Sequence, residues 1–235
     1  MRAALLDLVT GATCPGCGAP GRLPCDACAR SLLGRVRAVV PSPPPPGLAP
    51  AFAAGEYAEP LRSLVLGHKE RQQFGLAGLL GALLAYAVLE LCASRGVAPA
   101  TVVLVPAPSQ RASSRRRGHD PTLRLTRAAG QCLEVPVARL LAVGRVRDQG
   151  DLDRAGRLAN LHRSMWVRPG PARRLGRELG REGGAAGCWL VVCDDVLTTG
   201  ATAREAQRAL TDAGWGVLGI ATVAATTLRS APPRG

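Results

Sequence analysis

The amino-acid sequence predicts an α/β protein with a central, mostly parallel β-sheet and a small amino-terminal lobe built on four cysteines. Residues Trp189 to Ala225 read in the order strand, loop, helix, strand, which is the repeating unit of parallel sheets. Near the amino terminus, two C-x-x-C pairs are separated by seven residues, a spacing typical of a lobe held by a metal ion. Together these observations indicate one α/β domain with a cysteine lobe attached.

Length and composition limit the class of protein. The chain has 235 residues, of which 47% are hydrophobic, and this suffices for one α/β core with a small appendage. A net charge of +13 favours a polyanionic partner, with nucleic acid among the candidates. Lys69 is the only lysine, so the preference for Arg indicates a compositional bias. No secretory signal is visible at the amino terminus, and we expect a cytoplasmic protein.

The eight cysteines fall into two groups. The C-P-G-C and C-D-A-C pairs each place two thiolates on one ion, and together they predict a tetrahedral Zn²⁺ site formed by Cys14, Cys17, Cys25 and Cys28. A redox pair, the alternative, would need one C-x-x-C and not two. Because protein ligands fill all four positions, we expect the zinc to be structural. The remaining cysteines stand in apolar segments and are expected to be buried: Cys92, Cys132, Cys188 and Cys193.

A proline-rich stretch divides the chain. The prolines from Pro41 to Pro46 favour an extended, semi-rigid segment, so we predict a linker at residues 41–50 that acts as a spacer. A ligand for an SH3-like domain is an alternative interpretation of the same prolines. The predicted units are therefore a zinc-binding lobe at 1–40, the linker, and an α/β domain at 51–230.

The α/β domain opens with an edge strand and two helices. Phe52 to Tyr57 predicts the strand, and Pro60 fits the first turn of a helix that reaches Gly67. His68 has no partner at metal-ligand spacing, so we expect a surface imidazole. The stretch Gly75 to Ala93 is apolar enough to raise the alternative of a membrane span. Its glycines favour a buried, tightly packed helix instead, and no membrane span is expected.

A strand followed by a basic loop comes next. The β-branched run Thr101 to Val105 predicts a buried strand, and the prolines of V-P-A-P-S stop its ladder and place a loop at its carboxyl end. Arg111 to Asp120 then reads R-A-S-S-R-R-R-G-H-D. One interpretation is a solvated basic loop. The functional interpretation is a cationic loop that binds phosphate groups of a ligand, with four candidate residues: Ser109, Arg115, Arg116 and Arg117.

The segments before the last strands are less regular. Arg145 to Asn160 is highly charged, and Met165 to Val167 predicts a short strand. Arg173 to Gly187 is rich in Arg and Gly and predicts a loop that leads into the apolar run at Trp189. A second apolar run, Val217 to Ala225, predicts the last strand.

The stretch V-V-C-D-D-V-L-T-T-G-A-T, at Val191 to Thr202, carries the chemistry. The apolar strand stops at Asp194 and Asp195, whose carboxylates can accept hydrogen bonds from vicinal sugar hydroxyls or hold Mg²⁺. The loop Thr198 to Thr202 offers hydroxyl and backbone N–H groups to a phosphate, before a predicted helix at Ala203 to Ala213. A phosphate next to a diol is a ribose 5-phosphate. A solvated acidic turn is the plainer interpretation, whereas a Walker-B strand would need a G-x-x-x-x-G-K-[ST] that this chain lacks.

This stretch resembles the phosphoribosyl pyrophosphate (PRPP) binding motif of type I phosphoribosyltransferases. The resemblance implies that Asp194 and Asp195 face the ribose hydroxyls. It also implies that Mg²⁺ accompanies PRPP and that the 5-phosphate is held by Thr198, Thr199, Gly200, Ala201 and Thr202. The implied fold of residues 51–230 is the type I phosphoribosyltransferase-like fold, with its central, mostly parallel sheet.

Three features in order resemble the ComF-type competence family of phosphoribosyltransferase-like proteins: the C-x-x-C…C-x-x-C lobe, the V-P-A-P-S…R-R-R-G loop and D-D-V-L-T-T-G-A-T. Arg157 and Asn160, within R-x-x-N-L, add a fourth match. The chain departs from the family at Arg117 to Pro121, which read R-G-H-D-P where many members have R-G-F-N-Q. This departure bears on the contacts with substrate.

The resemblance implies a PRPP-binding protein that assists DNA uptake in natural transformation, with single-stranded DNA and competence or DNA-processing proteins as candidate partners. The alternative is an active phosphoribosyltransferase in nucleotide or base salvage, which displaces pyrophosphate from PRPP with Mg²⁺. In that case the arginine loop covers the leaving group, and no residue is assigned as catalytic. Against a DNA role, the three tryptophans that a single-strand binder would use for stacking are expected to be buried: Trp166, Trp189 and Trp215.

Overall fold

A mostly parallel sheet organises the computed structural model, which describes residues 13–21, 24–108, 120–144, 164–180 and 188–226. Within this part of the chain, the first strand is antiparallel to its neighbour and the other neighbouring strands are parallel. Across the sheet the strands are β1 (Arg37–Val39), β2 (Ala51–Glu56), β7 (Val217–Ala225), β6 (Trp189–Leu197) and β3 (Val102–Pro106). The predicted α/β class with a mostly parallel central sheet is confirmed.

Helices cover both faces of this sheet. On one face lie α2 (Leu61–Glu70), α3 (Ala77–Ser94) and α4 (Pro121–Leu133), with short 3₁₀ turns at Phe74–Leu76 and Pro99–Thr101. On the other face lie α5 (Pro169–Glu178), α6 (Ala201–Asp212) and an antiparallel pair, β4 (Leu141–Val143) with β5 (Met165–Val167). The helix α1 (Asp26–Ser31) belongs to the cysteine lobe. The two layers explain why the central strands read as unbroken apolar runs.

Helix α3 is the apolar helix that the sequence predicts at Gly75 to Ala93. The stretch Phe74–Ser94 has a mean hydropathy of 2.0 and is long and apolar enough to cross a membrane, but 56% of it is buried inside the domain. It packs on β7 and, through Gly81, closely on Ala128 of α4. The helix therefore packs on the core with part of its surface, whereas Tyr86 on the same helix is 50% exposed.

The expectation of a surface imidazole at His68 is wrong, because this side chain is only 1% exposed. His68 follows Leu61, Leu64 and Val65 at the spacing of one helical face, and that face is turned to the core. The burial therefore follows from the helical period. The helix was predicted to end at Gly67, but it continues for three more residues and ends at Glu70.

The predicted loop at Arg173 to Gly187 is also corrected, because α5 occupies Pro169–Glu178. Leu175 is buried, and Ala172 and Leu179 pack beside it, so an apolar stripe of helical spacing is present among the arginines. Pro169 stands at the first helical position, where its missing N–H costs nothing. The high content of Arg and Gly hid this helix.

Five side chains expected to be buried are wholly or partly exposed, among them Trp215, which is only partly buried. Trp166 is 47% and Trp189 43% exposed, since β5 and the first residue of β6 lie at the margins of their sheets. Cys132 is exposed on the outer face of α4, and Cys188 is partly exposed just before β6. The expected burial of Cys92 and Cys193 is confirmed.

Candidate functional site

The acidic pair lies inside strand β6, which is longer than the sequence predicts. The apolar run was expected to end at Asp194, but β6 continues to Leu197 and pairs Asp194 with Thr222 of β7. The Asp195 N–H donates to Asp194 Oδ1 and the Val196 N–H donates to Asp195 Oδ1, both at 2.8 Å. These bonds fix the two carboxyl groups at the carboxyl edge of the sheet, where ligands of open α/β sheets bind.

The alternation of side chains along β6 shifts within the acidic pair. Residues in a regular strand point alternately to opposite faces. Cys193 and Val196 nevertheless both contact the core on the α3 side, whereas Leu197 contacts the core on the α6 side. Neighbouring aspartates are therefore not simply directed to opposite faces, and their carboxyl groups interact with each other.

Lys69, at the end of α2, forms an ion pair with this acidic edge. Its Nζ lies 2.7 Å from Asp195 Oδ2, and the Asp195 side chain is 7% exposed against 33% for Lys69. Sequence reasoning did not assign Lys69 a role. The available signal was compositional, since Lys69 is the only lysine in a chain that otherwise uses arginine for its permanently charged basic side chains.

Charge at the edge is set by three groups. Burial and the neighbouring Asp195 charge raise the pKa of the Asp194 carboxyl to about 8, and the nearby Lys69 charge offsets only part of this rise. Near neutral pH the Asp194 carboxyl is therefore poised to lose its proton. Ligand hydroxyls or a divalent cation would favour its ionised form.

The small-residue loop after β6 is shorter than the sequence predicts. Residues Thr198, Thr199 and Gly200 form the bend, and α6 begins at Ala201, not at Ala203. Gly200 has a φ of 74°, a left-handed conformation that glycine adopts without strain. The first helical hydrogen bond runs from the Arg204 N–H to the Gly200 carbonyl, and the Ala201 N–H donates to Thr199 Oγ1 at 3.4 Å. The N–H groups of a first helical turn favour an anion. Hydroxyl groups flank this start, and the whole loop suits an anion.

The predicted linker lies against this loop. Pro41 and Pro45 are buried, and the Arg204 Nε donates to the Pro46 carbonyl at 2.8 Å. The proline-rich segment therefore packs on α6, in contrast to the predicted role of a spacer between two separate units. Residues 37–39, just before it, form β1 and extend the central sheet.

The four lobe cysteines form a cluster that fits a zinc ion. Their sulfur atoms all lie within 4.8 Å of one another, and Cys17 Sγ is 3.5 Å from Cys25 Sγ. Sulfur atoms of a tetrahedral zinc site stand about 3.8 Å apart, whereas a disulfide needs about 2 Å. The predicted ligand set, Cys14, Cys17, Cys25 and Cys28, is thus brought together as one potential metal site.

Backbone N–H groups favour a thiolate in this cluster. Burial raises the pKa of the Cys14 thiol, but hydrogen bonds from the backbone of Cys25, Gly16 and Cys17 outweigh it and lower the pKa to about 6. The Cys25 N–H lies 3.4 Å from Cys14 Sγ, and the Cys28 N–H lies 3.5 Å from Cys25 Sγ. Donors aimed at sulfur stabilise the thiolate form of Cys14, whereas burial and the neighbouring thiols raise the pKa of Cys28 in the metal-free cluster.

The cysteine lobe packs directly on the α/β domain. A Cβ placed on Gly16 would lie 2.9 Å from Pro60 Cβ and 3.0 Å from Cys28 Sγ, so the lobe touches the start of α2. Leu32, just after α1, is buried in the core cluster that contains α2 and α3. The lobe therefore shares apolar contacts with the main core.

An arginine-lined cavity of about 590 Å³ opens between α3 and α4. Arg124 and Arg127 line it together with Asp120 and Gln131, and the Arg124 guanidinium lies 4.2 Å from the ring centre of Phe74. Phe74 is 39% exposed, so this cation–π pair stands at the surface. Asp120, one of its lining residues, follows the basic segment 109–119 in the sequence, and sequence reasoning did not predict the cavity.

The remaining candidate residues lie outside the described part of the chain. These are Ser109, Arg115, Arg116 and Arg117 of the predicted pyrophosphate loop, and Arg157 and Asn160 of R-x-x-N-L. Their roles stay predictions. No protein-family model matches the chain, and no curated protein matches it. The geometry of the described residues is therefore the ground for a functional proposal.

Proposed function

We propose that the chain is a PRPP-binding, phosphoribosyltransferase-like protein of the ComF type. One observation carries this proposal: the paired carboxyl groups of Asp194 and Asp195 stand at the carboxyl end of β6, and the same strand leads directly into the anion-binding start of α6. Groups that accept hydrogen bonds from sugar hydroxyls therefore stand beside groups that donate hydrogen bonds to a phosphate, on one rigid strand–loop–helix unit. A ribose 5-phosphate needs this combination of groups.

The residues take distinct roles in this proposal. Asp194 and Asp195 accept hydrogen bonds from the ribose diol, and the backbone and hydroxyl groups of Thr198 to Thr202 hold the 5-phosphate. Lys69 holds the Asp195 side chain in place through their ion pair. Mg²⁺, bound with PRPP, supplies charge neutralisation at the pyrophosphate. The arginines of residues 115–117 are proposed to contact the pyrophosphate end.

The proposed cellular role is to assist DNA uptake during natural transformation, with single-stranded DNA and competence or DNA-processing proteins as partners. The net charge of +13 and the arginine-lined cavity beside Phe74 support a polyanionic partner. The second candidate is an active phosphoribosyltransferase, and the PRPP site supports it as well, since a transferase must first bind the same ligand. The cytoplasm is the proposed location for either role.

Isothermal titration with PRPP and Mg²⁺ tests the site. We expect the Asp194→Asn/Asp195→Asn double variant to bind PRPP at least about tenfold more weakly, because each asparagine removes a charged acceptor. Glu178→Gln, which alters an exposed carboxylate on α5, serves as the matched control and should bind like the wild type. Equal affinity in the double variant and the wild type would reject the site.

PRPP consumption with a panel of bases separates the two candidate functions. Release of pyrophosphate with one base would establish a transferase. Tight binding without release across the panel would favour the binding protein.

A further inference from the structure

Residues 41–49, here named the proline strap, lie across the start of α6. A Cβ on Gly200 would meet Pro41 Cγ at 3.0 Å, and Pro45 Cγ and Leu48 Cδ2 at 3.2 Å. Gly200 is itself buried, and so are Pro41 and Pro45. The strap therefore forms a wall of ring and methyl carbons behind the glycine that begins the anion-binding loop.

Side chains of α6 hold the strap in place through hydrogen bonds. Proline has no N–H, so the strap forms no regular ladder with its neighbours and its carbonyl groups need other donors. The Arg204 Nε donates to the Pro46 carbonyl at 2.8 Å, and the Gln207 Nε2 donates to the Gly47 carbonyl at 3.0 Å. In return, the Ala49 N–H donates to Gln207 Oε1 at 2.9 Å. The Gln207 amide is thus bonded on both sides to the strap backbone.

The contacts follow one face of the helix. Gly200, Arg204 and Gln207 stand four and then three residues apart, so they form one stripe along the first two turns of α6. The neighbouring stripe holds a different element: Glu205 Oε1 accepts from the Met165 N–H at 3.1 Å, and Arg208 donates to the Met165 carbonyl at 2.8 Å. The helix that presents the phosphate loop is therefore gripped on two adjacent sides.

The strap is anchored at its first end by the sheet. It begins two residues beyond Val39, the last residue of β1, and Val39 pairs with Ala51 of β2. At its other end the Ile220 N–H of β7 donates to the Pro50 carbonyl. A segment fixed at both ends and along its length can restrain the backbone that it touches.

We propose that the proline strap positions the phosphate loop and that Arg204 and Gln207 are positioning residues for the 5-phosphate of PRPP, acting through the strap on Gly200 without touching the ligand. This inference rests on the proposed function. Phosphate binding by backbone N–H groups depends on their convergence on one point, which a left-handed Gly200 provides only while its conformation is held. The strap supplies that restraint from behind.

Two readouts on the same variants test the strap. The variants are Arg204→Ala, Gln207→Ala and their double, with Arg204→Lys as the conservative change that keeps a donor. Thr211→Ala, at an exposed position on the same helix, is the matched control. Hydrogen exchange of the loop at residues 198–204 is measured in the ligand-free protein. The Kd for PRPP with Mg²⁺ is measured by titration at a temperature below the thermal unfolding transition of every variant.

In the double variant we expect hydrogen exchange at residues 198–204 to be about tenfold faster and the Kd for PRPP to be about tenfold higher, because hydrogen bonds from both side chains are lost. Arg204→Lys should show much smaller changes in exchange rate and Kd than Arg204→Ala does. Thr211→Ala should change neither quantity. A purely structural role would lower the unfolding temperature while leaving exchange of the loop and the Kd unchanged in the folded protein. Leu48→Ala, which alters the strap and not the helix, repeats the test if the double variant does not fold.

The outcomes separate this inference from the proposed function. If the wild type does not bind PRPP but the strap variants speed exchange at the loop, the proposed function fails and the positioning of the loop stands. If the wild type binds PRPP, and the strap variants match it in both exchange and Kd, the strap inference is overturned and the proposed function stands.

Discussion

The cysteine lobe and the acidic edge of the sheet are both clusters of a few polar side chains, yet they are assembled in different ways. The four cysteines lie within 15 consecutive residues, Cys14 to Cys28, and two tight turns suffice to bring them together. The acidic edge combines Lys69 from α2 with Asp194 and Asp195 from β6, and the loop that follows is covered by the strap of residues 41–49. The lobe is a local site that a metal would stabilise, whereas the edge exists only after the sheet has formed.

Metal removal should therefore damage the lobe far more than the edge. Structural zinc sites contribute roughly 10 kcal/mol or more of binding free energy to folding, and four uncompensated thiols cannot replace it. We expect about one zinc per chain by metal analysis, and loss of exchange protection at residues 13–21 and 24–32 after chelation. Cys28→Ser should have the same effect, because it removes one buried ligand.

The β6–α6 unit provides the comparison in the same experiment. Its protection from exchange should persist after chelation, since its core is built from sheet and helix contacts. A metal-free chain with a fully protected lobe would show that the cysteines are held by packing alone.

Lys69 tests how strongly the acidic edge depends on a distant partner. Lys69→Ala leaves the Asp195 carboxylate almost buried and without its cation, and we expect a loss of roughly 2 kcal/mol in the free energy of unfolding. This figure lies between those for surface and buried pairs, because the Lys69 side chain is one-third exposed. Urea unfolding measures it, with Lys69→Arg as the control that keeps the charge. Equal stability of Lys69→Ala and the wild type would mean that water, not Lys69, stabilises Asp195.

Local patterns predicted the sheet better than they predicted the edge. The bounds of β7 and β5 agree with the sequence prediction, because a run of apolar or β-branched residues reports a buried strand directly. The two C-x-x-C pairs likewise specify their own cluster. In each case the information lies within the segment itself.

Partners that arrive from distant segments were not predictable in this way. The ion pair of Lys69 with Asp195 and the packing of the strap on Gly200 depend on the sheet order, which places residues far apart in sequence side by side. His68 shows the same limit, since its burial depends on which face of α2 meets the core. The extension of β6 through its two aspartates was missed because their side chains bond the backbone N–H groups of the next residues.

The raised pKa of Asp194 predicts a pH dependence of PRPP binding. A ligand that prefers the carboxylate must displace a proton below the pKa of about 8, so affinity should rise as the pH increases from 6 to about 8 and level off above it. The effect should be at most about tenfold per pH unit. Titration at several pH values measures it, and Asp194→Asn corrects for ionisation of PRPP itself.

Stability should change in the opposite direction over the same window. The folded-state pKa of Asp194 is raised above its unfolded value, so the folded protein binds the proton more tightly and this group contributes less stability as the pH rises towards 8. Asp194→Asn should flatten both profiles. Affinity that falls with pH in the wild type, after the correction for PRPP, would contradict the proposed role of the ionised pair.

The smallest expected effect concerns the arginine-lined cavity and DNA. If single-stranded DNA lies over Arg124 and Arg127, replacing both with alanine removes two phosphate contacts and lowers the slope of log affinity against log salt by roughly 1.4. Fluorescence anisotropy with a labelled oligonucleotide over a range of salt concentrations measures the slope. Arg173→Ala/Arg174→Ala, on exposed residues of α5, removes the same charge elsewhere and serves as the matched control. An equal change of slope in both double variants would mean that net charge, and not the cavity beside Phe74, holds the DNA.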